Sequence, residues 1–179
     1  TLYTLVGGEK YTNLINEILH LHATDDTGIT AYQLSNNGTN WTVVPITSTT
    51  NFDDSSKAWS LASGSDGSRT VYVPYQKTTS TGISFWSSVY SDSINLDTTP
   101  PVVTATPDHL PNLAGWNNTD VTVTFGATDP VVNGVASGVV TISGPITVTT
   151  EGASQVITGH ATDAVGNTGS FSITLNIDK

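Results

Sequence analysis

Apolar and polar residues alternate with a period of two over much of this chain. In EILHLHA, residues 17–23, Leu19, Leu21 and Ala23 fall on one side and Ile18, His20 and His22 on the other, as in a strand that turns one face to a core. ITAYQLS (29–35) and TVYVPY (70–75) continue the pattern, and NNG (36–38) and SGSDGS (63–68) supply residues that accept positive φ in turns. Pro74 has no amide to donate, which places it at a sheet edge or a bulge. INEILHL can mimic a helical turn, but its alternation and the glycine-containing chain after it favour a strand.

A second series follows: VVTAT (102–106), DVTVTFGAT (120–128), GVVTIS (138–143), ITVTT (146–150), SQVITGHAT (154–162) and GSFSITLNID (169–178). In the last of these Phe171, Ile173, Leu175 and Ile177 share a face. Between the two series stands TTPP (98–101), whose prolines restrict the backbone and withdraw two amide donors, so the preceding strand VYSDSINLD cannot continue. The chain is therefore expected to divide into residues 1–98, a proline-stiffened link at 99–101, and residues 102–179. INLD and LNID close the two parts alike, the expected mark of successive domains excised from a longer series. Short strands separated by turns, with no helical period, predict an all-β protein built of antiparallel β-sandwiches.

Composition narrows the function. Charged residues are only 11%, and a net charge of -10 with five Lys plus Arg is unsuited to a phosphate backbone or an anionic membrane surface. No run approaches the roughly 18 apolar residues of a spanning helix, and the first residues lack the order of a signal peptide. Cysteine is absent, so stability is expected from packing alone, without disulfides or thiolate metal sites. A cysteine-free, acidic, threonine-rich surface suits an extracellular setting.

YTNLINEILHLHATDDTGITAYQLSNNGTNW, AWSLASGSDGSRTVYVPY and VYSDSINLDTTPP resemble the tandem bacterial immunoglobulin-like (Big/fibronectin-III-like) repeats of secreted and cell-surface proteins. PNLAGWNNTDVTVTFGATD and VTTEGASQVITGHATDAVGNTGSFSITLNIDK are similar to a companion repeat, and together these segments cover almost the whole chain. The resemblance implies two tandem immunoglobulin-like β-sandwiches that act as a non-catalytic, extracellular spacer, stalk or presentation module, with neighbouring repeats of the same polypeptide as partners. In that role Asp97, Pro100 and Pro101 form a joint that limits bending, and Asp163, Gly166 and Asn167 shape a loop. One segment departs from the pattern: where the second part has DAVGN (163–167), the first has the longer, aromatic-tipped KTTSTGISFW (77–86).

Three groups of residues carry candidate chemistry. Asp25, Asp26, Asp129, Asp163 and Asn167, with Asp97 and Asp178, lie near strand ends, where oxygens from several loops can converge on calcium. The same residues also serve ordinary turns, capping local amides. No other cofactor is expected. His20 and His22 share a strand face, close enough for a transition metal, but no third ligand is evident in the sequence; His109 falls in a loop and His160 near a strand end. Phe85, Trp86 and Tyr90 cluster in the aromatic segment 83–90, which overlaps the end of the departing one, and flat rings there suit a surface glycan or a protein ligand. Trp41 and Trp59 are expected in the core or half-covered. The triplets at Asn37, Asn40 and Asn117 are glycan acceptors only in a eukaryotic secretory path, and NNGTNWT reads more simply as a hairpin turn.

Catalysis is not expected: GxSxG and HExxH are missing, and Asp25 and Asp26, adjacent on a strand, would face opposite sides. TLYTLV (1–6) is apolar enough to be either the first strand of its own domain or a strand donated to a neighbour, the route to a self-associating surface filament.

Overall fold

The alternating segments become strands, and every regular element among the described residues is one. The computed structural model describes residues 10–179, so the expected strand at 1–6 lies outside the described residues. The chain divides into two units, Thr1–Leu96 and Asp97–Lys179.

The first unit contains β1 (Tyr11–Thr12), β2 (Asn16–Leu34), β3 (Thr42–Ser60), β4 (Gly67–Val73), β5 (Tyr75–Thr78), β6 (Ser84–Trp86) and β7 (Tyr90–Leu96). One sheet runs β3-β2-β5-β6 and the other β1-β7-β4, with β1 parallel to β7. Leu19, Leu21, Ile29, Tyr32 and Leu34 of β2 and Phe52 of β3 meet Val71 and Val73 of β4 and Ile94 of β7 in one buried cluster, which makes the unit a two-layer sandwich. Trp59 is half-buried against this core and donates its indole N–H to Asn36 Oδ1 at 2.8 Å.

EILHLHA and ITAYQLS, read separately in the sequence, form the single 19-residue strand β2. The ATDDTG stretch between them does not end the strand, because β3 pairs with it on both sides: Thr24 faces Asn51 and Ile29 faces Thr49. The surplus residues bulge out, and Gly28 takes φ +94° there. The expected NNG turn joins β2 to β3. Ser35 Oγ accepts the amides of Asn37 and Gly38, and Asn37 Oδ1 accepts those of Thr39 and Asn40. Pro74 marks a change of sheet: β4 pairs with β7, whereas β5, beginning one residue later, pairs with β2. With no N–H, Pro74 can extend neither ladder, and its carbonyl accepts the Gln33 amide at 3.1 Å.

The second unit contains β8 (Val102–Pro107), β9 (Val121–Thr128), β10 (Val139–Ile142), β11 (Ile146–Val148), β12 (Gly152–Asp163) and β13 (Thr168–Ile177). These are the six segments read from the sequence, with small shifts at their ends. The sheets run β11-β9-β8 and β10-β12-β13. First, second and fourth strands thus oppose third, fifth and sixth, the strand order of an immunoglobulin sandwich. Val103, Val121, Val123, Phe125 and Val148 from one sheet pack on Ala161, Leu175 and Ile177 from the other.

Phe171 lies on the expected face, in unbroken register with Ile173 and Leu175, but at a level where the core does not cover it. Leu175 and Ile177 are buried and Ile173 partly so, but Phe171 is 47% exposed. It sits on the edge strand β13 opposite Gly159. A Cβ at Gly159 would overlap the Phe125 ring, which already fills the core at that level.

Candidate functional site

At one end of the second unit, three strand ends bring carboxylates together. Asp97 opens the unit ahead of β8, Asp129 follows β9 and Asp163 ends β12. One oxygen from each lies within 4.8 Å of the others. Asp97 is 0% and Asp163 3% exposed, whereas Asp129 is half-buried.

Backbone amides aim these groups. Asp97 Oδ1 accepts Thr99 N at 3.2 Å, and its Oδ2 accepts Ser137 N at 2.6 Å. Asp129 Oδ2 accepts Gly138 N at 2.6 Å. Asp163 Oδ1 accepts Val165 N and Asn167 N at 3.0 and 2.9 Å. Asn167 Nδ2 then bridges, donating to Asp163 Oδ2 at 2.8 Å and to the Asp97 carbonyl at 3.0 Å. Ser137 Oγ is buried without a hydrogen-bond partner. The DAVGN turn is therefore both an ordinary Asx-type turn and one wall of a carboxylate cluster.

Of the calcium candidates read from the sequence, the structure gathers Asp129, Asp163 and Asp97. Asn167 stands beside them as a positioning residue through its amide nitrogen. Asp25 and Asp26 lie in the first unit and are not members of the group. Asp25 accepts the amide and hydroxyl of Thr27 and pairs with Lys77 at 3.2 Å, while Asp26 is exposed. At the expected joint, Pro100 is exposed and Pro101 buried, and Gly169 lies against the Pro101 carbonyl, where a Cβ would overlap it.

Three like charges this close repel by about 3–4 kcal/mol per pair at the effective dielectric of a protein site. Amide dipoles offset part of that, and a divalent cation would reverse its sign. The donor set fits calcium: every member is a hard oxygen, and three carboxylates with water can approach the six to eight oxygens that calcium takes.

On β2, the partner missing from the sequence for His20 and His22 comes from the opposite strand. Asp53 of β3 lies 2.9 Å from His20 Nε2 and 3.6 Å from His22 Nδ1. Register explains it, since His22 and Asp53 are directly paired.

KTTSTGISFW folds as the β5–β6 hairpin, with Lys77 opposite Phe85 and Gln76 opposite Trp86. Phe85, Trp86 and Tyr90 are 52%, 40% and 36% exposed. They line a cavity of about 250 Å³ in the first unit together with Tyr75, Lys77 and Asp25. The hydrogen bonds from Thr27, and Lys77 beside it, hold the Asp25 carboxyl at about 2, below its ordinary 3.8. Burial pushes the Tyr75 phenol well above its ordinary value, and its Oη is buried without a hydrogen-bond partner. Sequence patterning marks the segment that carries Lys77 and the rings but not Asp25 as their neighbour, which comes to them through the β2–β5 pairing.

No protein-family profile matches the chain, and no curated protein sequence is significantly similar to it. Among solved structures, the fibronectin(III)-like modules of Clostridium thermocellum CbhA match 99% of this chain and 94% of that one, at 15% identity and a TM-score of 0.40.

Proposed function

We propose that the chain is a non-catalytic structural module of a secreted or surface-exposed protein, in which calcium fixes the loop end of the second sandwich. The carboxylate cluster carries this reading. Asp97 is the first residue of its unit, so an ion held there would pin the point at which the chain enters the fold. That is useful in a spacer, whose task is to transmit position. Extracellular modules bind calcium at about 10⁻⁴–10⁻³ M, matched to the concentration outside cells, and a cysteine-free, acidic chain suits that compartment. Two serial sandwiches, each with its own core, support a role in linking or presenting other domains.

Calorimetric titration of the chelator-treated chain with calcium chloride tests the reading. Saturable binding near that range is expected, with a rise in the melting temperature of the second unit. At about 100-fold excess over Kd the gain is about 2.7 kcal/mol, or roughly 10–20 °C for a domain of this size. Asp163→Asn should remove most of it. Identical melting in calcium and in EDTA would overturn the proposal.

A further inference from the structure

We propose that the cavity of the first unit binds a neutral pyranose unit of a polysaccharide, stacked on Trp86 and Phe85. Single exposed aromatics are ordinary on a protein surface. Here three rings from one short segment converge on a concave site that also holds an ion pair, the mixture of apolar wall and few polar groups expected of a ligand pocket. Flat rings suit the C–H faces of a sugar, and its hydroxyl edge needs both donors and acceptors.

Lys77 and Asp25 offer one of each at 3.2 Å. Among the described residues they are the only charged groups lining the cavity, and they neutralise each other, so the site favours an uncharged, hydroxyl-rich ligand over an anion or a cation. Asp25 stays ionised throughout the physiological range, an acceptor for hydroxyl protons. Tyr75 adds a buried phenol oxygen without a partner in the wall of the same cavity. At about 250 Å³ the space lies just below the usual range for ligand pockets and fits one sugar ring.

Saturation-transfer NMR and calorimetry on the whole chain, in EDTA so that the outcome is independent of calcium, test this with cellohexaose, xylohexaose and mannohexaose. A ten-residue proline peptide serves as the rival ligand. Saturable binding of at least one hexasaccharide is expected. It should weaken at least tenfold in Trp86→Ala, be retained in Trp86→Tyr, and be unchanged in Phe171→Ala, which removes an exposed ring of the second unit. Absence of binding to all three sugars, undiminished binding in Trp86→Ala, or binding of the peptide alone would each overturn the proposal.

Discussion

Gly169 shows how much one missing side chain can decide. Its backbone lies so close to the Pro101 carbonyl that a Cβ would overlap the oxygen. The obstacle is backbone, which cannot swing aside as a side chain would. Gly169→Ala is therefore expected to force β13 from the segment leading into β8 and to destabilise the second unit by about 2 kcal/mol; urea unfolding followed by far-UV circular dichroism would show it as a lowered midpoint. Asp25 makes a different prediction. Its folded pKa of about 2 lies below the ordinary 3.8, so its carboxylate stabilises the first unit above about pH 4. That contribution fades as pH falls toward 2. The stability advantage of the native chain over Asp25→Asn should hold from pH 7 to 4 and shrink between 4 and 2. An advantage independent of pH would show that the charge of Asp25 does not contribute.

At the level of elements, legibility followed burial. The strands of the second unit other than β10 lay one face on the core, and all six segments stand where the pattern puts them. β3 is the opposite case. Phe52 is its only fully buried residue and it forms a sheet edge, so polar residues fill both faces and the alternation vanishes. Pro45, an interruption in a central strand, is tolerated there opposite Ala31. The candidate sites divide in the same way. Local signals exposed Phe85, Trp86 and Tyr90 as a departure from a repeated pattern, and Asp163 as a turn carboxylate. That Asp97 and Asp129 meet Asp163, or that Asp53 meets His20, depends on strands distant in sequence, and no spacing rule encodes it.

For the whole molecule, the two cores share no residue: one is drawn from β2, β3, β4, β5 and β7 with Leu61, the other from β8, β9, β11, β12 and β13. Each unit should therefore unfold as its own cooperative step, and calorimetry of the full chain should resolve two transitions, of which calcium moves only one. The position of Asp97 sharpens the test. A fragment of residues 97–179 keeps all three carboxylates, whereas one of residues 102–179 keeps every strand of the second sandwich but lacks Asp97. Loss of Asp97 also removes the carbonyl that accepts Asn167 Nδ2, and leaves Ser137 N without its carboxylate. Both fragments are expected to fold with the circular dichroism of a β-sandwich. Only the longer should melt at a higher temperature in calcium than in EDTA. An equal calcium shift in the two would place the ion elsewhere and remove Asp97 from the site.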